Sequence, residues 1–337
     1  MKAVQVSEKG GNFEVVERDI PSINDDQVLI KVEACGVCHS DQFVKEGMFP
    51  GIEYPRVPGH EVVGTIEKAG KNVTSWKKGQ RVGVGWHGGH CFQCEPCRRG
   101  DFINCQNAAI TGISFDGGYQ EYMAAPKEAL ALVPEELKSA DAAPLLCAGV
   151  TVFNALRNTD AKAGDLVAIQ GIGGLGHLGI QYAKKMGFKT VAISGTKSKE
   201  KLAKELGADL FLSASDDNVV EELQKMGGAK VILATAPSSK AVSEVFDGLG
   251  PNGSVVAVGA DMQPVEIGTM QLISGKKTLT GHASGTAMDS EDTLNFSALS
   301  DSTPMIETYP LEKAAEAYDR MINNEARFRT VLVMDQG

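Results

Sequence analysis

At 337 residues the chain exceeds the roughly 100–200 residues of one domain, so two domains, or one with a large appendage, are expected. A hydrophobic share of 42% allows a substantial core, and a formal net charge of −10 argues against a nucleic-acid partner, which calls for a basic face. No apolar run is long enough for a membrane span, and the start MKAVQVSEKGGNFEVV lacks the basic-then-apolar order of a signal peptide; a cytoplasmic protein with no membrane partner and reduced cysteines is expected.

Along residues 1–130, short alternating apolar runs such as VLIKVEAC (28–35), EVVGTIEKAG (61–70) and QRVGVGW (80–86), broken by Gly and Pro, predict an all-β region. From about residue 150 the period changes. DLVAIQ (165–170), TVAIS (190–194), DLFLS (209–213), KVILATA (230–236), GSVVAVGA (253–260) and KKTLTGH (276–282) read as strands separated by helical patterns. The first helix carries Leu175, Leu178, Tyr182 and Met186 as one stripe. Such alternation predicts a doubly wound parallel sheet of the α/β class. The expected limits are 1–149, 150–285 and a return segment 286–337, which holds one helix (312–325) and one strand (329–334) and rejoins the first domain.

Immediately after the first strand of the second region comes GIGGLGHLGI, with Gly171, Gly173 and Gly176 at G-x-G-x-x-G spacing and Gly174 and Leu175 between them. A turn of this kind between strand and helix lets backbone approach a pyrophosphate at the positive end of the helix, so a dinucleotide site is predicted. An NAD site places an acid at the end of the following strand; here Ser194 and Gly195 occupy that place, followed by Thr196, Lys197, Ser198 and Lys199. Cations in a first helical turn oppose its dipole unless an anion accompanies them, so a 2′-phosphate is expected and NADP(H) is favoured over NAD(H).

Seven cysteines sort into two sets and a remainder. Cys91, Cys94, Cys97 and Cys105, spaced C-x2-C-x2-C-x7-C, offer four thiolates from one loop, the composition of a closed structural zinc site. An iron–sulfur cluster or a thiol relay uses the same residues. Cys38, His60 and Cys147 lie far apart in sequence and offer two sulfurs and an imidazole, the donor set of a catalytic zinc with one open position.

The combination of CGVCHSD, GHE, the four-cysteine loop, LLCAGVTV and GIGGLGHLGIQYAKKMG resembles the zinc-dependent medium-chain alcohol dehydrogenases, in particular the compact microbial, plant and fungal forms that act on primary alcohols. The resemblance implies a GroES-like catalytic domain built from both ends of the chain, with a six-stranded Rossmann coenzyme domain inserted. It implies two zinc ions per chain, the catalytic one on Cys38, His60 and Cys147, with Glu61 as a transient or fourth ligand. Asp41 is then the carboxylate that orients His60, Ser40 the hydroxyl that receives the alcohol proton, and His39 a cofactor contact beside it. Thr151 packs against the nicotinamide, and Arg329 meets the pyrophosphate. Phe43 stands where several relatives carry a relay histidine. Phe49 stands where yeast-type forms carry a tryptophan and, with Trp86, lines the substrate pocket. The implied activity is reversible hydride transfer between NAD(P) and a primary aliphatic, aromatic or allylic alcohol, in a homotetramer or homodimer. A metal-free quinone or enoyl reductase and a non-catalytic zinc-binding interaction protein are the rival readings.

Overall fold

In the computed structural model, which describes residues 1–335, the apolar run 28–35 becomes the strand Gln27–Val37. It belongs to a seven-stranded sheet in the order Ile306–Pro310, Arg329–Val333, Gln27–Val37, Val62–Ala69, Arg81–Val84, Leu130–Leu132, with Tyr122–Pro126 also paired to Gln27–Val37. Val28, Ile30, Val32, Val62, Ile66, Val82 and Val84 are buried in one cluster. Removing each such side chain from water contributes about 1.5–3 kcal/mol, which makes this sheet the rigid platform of its unit.

Strand register positions the candidate ligands. Gln27–Val37 runs antiparallel to Val62–Ala69 with Cys35 opposite Val62, and antiparallel to Arg329–Val333 with Val37 opposite Thr330. Cys38, the pair His60–Glu61 and Arg329 each lie at or just past a strand end, and the pairing brings those three ends together.

Two units compose the chain: Met1–Val150 with Gly285–Gly337, and Thr151–Ser284. The return segment is richer than expected. It contains the helices Ala287–Ser300 and Ala314–Ile322 and the strands Ile306–Pro310 and Arg329–Val333. The first helix escaped the sequence reading because its buried residues are Ser290, Thr293, Leu294 and Ser297, a helical face with little apolar contrast. Ala314–Ile322 buries Ala314, Ala317, Tyr318 and Met321 against the same core as the sheet.

The second unit holds a parallel six-stranded sheet ordered Leu210–Ser213, Lys189–Ser194, Leu166–Gln170, Ala229–Ala234, Leu249–Ala257, Thr278–Gly281. The order in which successive strands are added reverses beside Leu166–Gln170, and the ligand crevice of such sheets lies at that reversal, off the carboxyl ends of the strands. Helix Gly176–Lys185 follows and buries Leu178 and Tyr182 completely, whereas the outer members of the expected stripe, Leu175 and Met186, lie just beyond its ends and are half-buried. Among the described residues no single helix is long and apolar enough to cross a membrane.

Candidate functional site

Cys38, His60, Glu61 and Cys147 converge in the first unit, with one ligand atom from each lying within 4.8 Å of the others. Cys38 follows the central strand and leads into the turn His39–Asp41. Cys147 follows the buried turn Ala143–Leu146, whose Leu146 packs so tightly on the strand Arg81–Val84 that a Cβ on Gly83 would sit 2.8 Å from its methyls. His60 is 2% exposed, and its Nδ1 lies 3.2 Å from Asp41 Oδ1. Asp41 is itself fixed, since its Oδ2 accepts from the Cys38 backbone N–H at 2.8 Å and from the Tyr119 hydroxyl at 2.9 Å.

This arrangement leaves His60 Nε2 and Glu61 Oε2 buried without a hydrogen-bond partner, while Asp41 Oδ1 meets His60 Nδ1 as a charge contact at 3.2 Å and not as an aligned hydrogen bond. Buried polar atoms are costly when unpaired; a cation among them resolves both. The sulfurs of Cys38 and Cys147 are 3.8 Å apart, as are those of Cys94 and Cys105. Tetrahedral zinc with sulfur at about 2.3 Å requires sulfurs roughly 3.8 Å apart, so both donor sets fit that ion.

Electrostatics agrees with the donor geometry. The hydrogen bond with Cys147 holds the Cys38 thiol well below its ordinary range, and the same bond pushes Cys147 well above it. Burial, opposed by the neighbouring Arg329 cation, pushes the Glu61 carboxyl up to about 7. Arg329 is 4% exposed and pairs with Glu61 Oε1. That pairing gives it a partner the sequence did not suggest.

The Cys91–Cys105 loop forms the second cluster, with Cys97 and Cys105 buried and Cys91 and Cys94 half-buried. Backbone N–H groups of Cys94 and Asn107 donate to the Cys91 and Cys105 sulfurs at 3.4 and 3.3 Å. The backbone N–H groups of Gln93 and Cys94 favour the thiolate form of Cys91 that a metal needs.

A wall of aromatic rings stands beside His60. Trp86 meets the imidazole edge-on with centroids 4.9 Å apart, Phe49 lies 6.1 Å from Trp86, and Phe43 lies 5.4 Å from Phe49. Ser40 is half-exposed and His39 exposed on the turn after Cys38. Phe43, noted in the sequence for what it is not, is therefore a member of this wall.

In the second unit the glycine turn has the strain that the motif predicts. Gly171 adopts φ +93°, a Cβ on Gly176 would collide with the Gly171 carbonyl, and a Cβ on Gly173 would meet only open space. Gly173 therefore borders the room a ligand needs, flanked by half-buried Gly174 and Leu175. Ser194 closes its strand half-buried; Gly195, Thr196 and Lys197 are exposed beyond it. The Lys199 ammonium donates to the Ile172 carbonyl at 2.6 Å and so lies against the glycine turn. Thr151, 9% exposed, sits in the helix Ala148–Arg157.

Two residues of the first cluster escaped the sequence reading. A Cβ on Gly36 would collide with Glu61 Oε2, and a glycine inside an otherwise apolar strand was the available signal. Tyr119 left no signal, because its hydroxyl reaches Asp41 from a distant segment.

Comparison with known proteins adds to this geometry. Residues 24–135 match the family profile "Alcohol dehydrogenase GroES-like domain", and residues 174–299 match "Zinc-binding dehydrogenase". The chain is 41% identical to the alcohol dehydrogenase patD of Penicillium expansum over 99% of this chain and 97% of that one. It is 37% identical to an alcohol dehydrogenase of Geobacillus stearothermophilus over the whole of both. A cinnamyl alcohol dehydrogenase of Sorghum bicolor superposes with a TM-score of 0.88 at 31% identity, over 98% of this chain and 97% of that one.

Proposed function

We infer that this chain, which belongs to the zinc-type medium-chain alcohol dehydrogenase family and is a zinc-binding oxidoreductase acting on alcohols, interconverts a primary alcohol and its aldehyde with NADP(H) as hydride partner. The observation that carries this reading is the unpartnered Nε2 of His60, buried within reach of two sulfurs set at a zinc spacing.

Cys38, His60 and Cys147 would hold the catalytic ion, with Glu61 as fourth or transient ligand, and Cys91, Cys94, Cys97 and Cys105 would hold a structural one. Zinc at the first site supplies Lewis acidity to the substrate oxygen, and the dinucleotide takes or returns the hydride. The chain's own groups do the rest. Asp41 keeps the His60 Nδ1 proton in place, so that Nε2 remains a donor to metal. Ser40 takes the hydroxyl proton and His39, exposed on the same turn, passes it to water. Phe43 has no proton to give, so the relay ends at His39 rather than there.

Phe43, Phe49 and Trp86 form an apolar surface suited to an aromatic or allylic alcohol, since flat unsaturated groups pack edge-to-face on such rings. Ser194 places no carboxylate against a 2′-phosphate, and Thr196, Ser198 and exposed Lys197 offer it donors. Asp216 accepts from the Ser213 and Ser215 hydroxyls and lies 4.0 Å from Lys197 Nζ, a pairing that a bound phosphate would compete with. Thr151 and the glycine turn complete the coenzyme contacts in this reading. Self-association as a homodimer or homotetramer is supported by the strand Thr278–Gly281, an edge of its sheet with all four residues exposed, near exposed Met270 and Ile273. The absence of disulfides among the seven cysteines suits the cytoplasm as the site of action.

The test is kcat/KM for ethanol, benzyl alcohol and cinnamyl alcohol, and for their aldehydes, with NADPH or NADP+ and with NADH or NAD+, on enzyme whose zinc content has been measured. Two zincs per chain, a preference for the phosphorylated cofactor, and its loss by about tenfold or more in Ser194→Asp are expected. A chain without zinc returns the reductase reading. An unchanged cofactor preference in Ser194→Asp refutes the role given to that strand end.

A further inference from the structure

Tyr119 takes no part in the chemistry described above, yet it touches the His60 segment twice. Its backbone belongs to a short ladder in which the N–H groups of Gly117, Gly118 and Tyr119 donate to the carbonyls of Val57, Gly59 and Pro58 at 2.8, 2.9 and 3.0 Å, along the stretch that runs directly into His60. The ladder is built for close approach: a Cβ on Gly59 would collide with the Tyr119 ring, and one on Gly117 with the Gly59 carbonyl. The ring itself is 0% exposed and lies 6.2 Å from Phe13, centroid to centroid.

From that fixed position the hydroxyl donates to Asp41 Oδ2 at 2.9 Å, across 78 positions of sequence. The same oxygen accepts from the Cys38 N–H at 2.8 Å. With two donors on Oδ2, the carboxylate has one orientation, and in it Oδ1 stands 3.2 Å from His60 Nδ1. Asp41 is 1% exposed, so water does not replace a donor that is removed, and a buried carboxylate short of a donor turns toward whatever else can satisfy it.

We propose that Tyr119 is a positioning residue for the metal-binding imidazole: its hydroxyl locks Asp41, and Asp41 in turn aims His60. The proposal rests on the reading of Cys38, His60 and Cys147 as a zinc site. It assigns a role to one oxygen atom, because phenylalanine carries the same ring and leaves the packing and the backbone ladder in place.

The experiment follows zinc release from the zinc-loaded enzyme into a chromogenic chelator, for wild type, Tyr119→Phe, Asp41→Asn and the double variant, with the thermal midpoint recorded for each. Wild type releases two zincs in two phases. Tyr119→Phe accelerates one phase roughly threefold to tenfold, below the 10–100-fold typical of direct partners of a ligand, and leaves the other phase and the midpoint unchanged. In the Asp41→Asn background the tyrosine substitution adds nothing, because the two act in series. The proposal falls if both phases keep their wild-type rates in Tyr119→Phe, if both accelerate together with a lowered midpoint, or if the effect is undiminished when Asp41 is already replaced. A wild-type enzyme that carries fewer than two zincs per chain after loading removes the underlying site reading instead, a result distinct from the other three.

Discussion

Arg329 and Glu61, 268 positions apart in the chain, meet as a buried ion pair beside the thiol and imidazole cluster. Glu61 is fully buried and Arg329 nearly so, and each depends on the other. Only one carboxylate oxygen is used by the arginine; Oε2 is left without a hydrogen-bond partner. The pair thereby fixes a carboxylate among the metal-binding groups while keeping one oxygen available to them.

Replacing Arg329 by methionine strands the Glu61 carboxylate, at a cost of about 3–5 kcal/mol. Both tryptophans, Trp76 and Trp86, lie in the first unit, so their fluorescence in a urea titration follows that unit. The expected result is a lowered midpoint for Arg329→Met and substantial recovery in Glu61→Leu with Arg329→Met. A single variant that unfolds at the wild-type midpoint would contradict the mutual dependence.

Gly36 is the second support of Glu61. Its N–H donates to the Glu61 carbonyl at 3.0 Å, and its missing side chain leaves the space that Oε2 occupies. Both strands are held by register on each side, so neither backbone can retreat. Gly36→Ala is expected to lower kcat/KM by about tenfold or more, the scale seen when groups around a metal are disturbed, with the zinc of the four-cysteine loop retained. Wild-type kinetics in this variant would show that Glu61 can move without consequence.

His87 makes the first unit acid-sensitive. It is 4% exposed, with Nε2 2.9 Å from His90 Nδ1 and the rings stacked. Burial, reinforced by His90 and opposed by Asp289, lowers its pKa to about 4 from the ordinary 6.5. The unfolded chain therefore takes up this proton first as pH falls. Stability is present in full above pH about 6.5, is lost as pH falls toward about 4, and changes no further from this group below that; the whole interval amounts to about 3 kcal/mol. Comparing urea midpoints at pH 7 and pH 5 for wild type and His87→Gln isolates the contribution. The variant should lose less between the two pH values, and an equal loss would mean that His87 is not the group responsible.

What could be read before folding was whatever a contiguous stretch carries. GIGGLGHLGI holds its own turn, because the positive φ of Gly171 and the close contact at Gly176 are local demands. The helix Ala287–Ser300 was also local but stayed hidden, since serine and threonine fill its buried face and only the capping pair Thr286–Asp289 marks its start. The strand Ile306–Pro310 was missed for a related reason: it is a sheet edge with no fully buried residue.

Sequence alone determined the four-cysteine donor set, the glycine turn and the alternation of strand and helix, because residue type and short spacing are enough to specify thiolates, a tight turn and a periodic face; the convergence of Cys38, His60 and Cys147 came only with the fold. Tertiary structure decided which charges are partners. The Arg329–Glu61 pair, the space left by Gly36 and the reach of Tyr119 to Asp41 arise where antiparallel strand ends and distant loops meet, and a buried polar group takes its partner from whatever the packed backbone places within hydrogen-bonding distance.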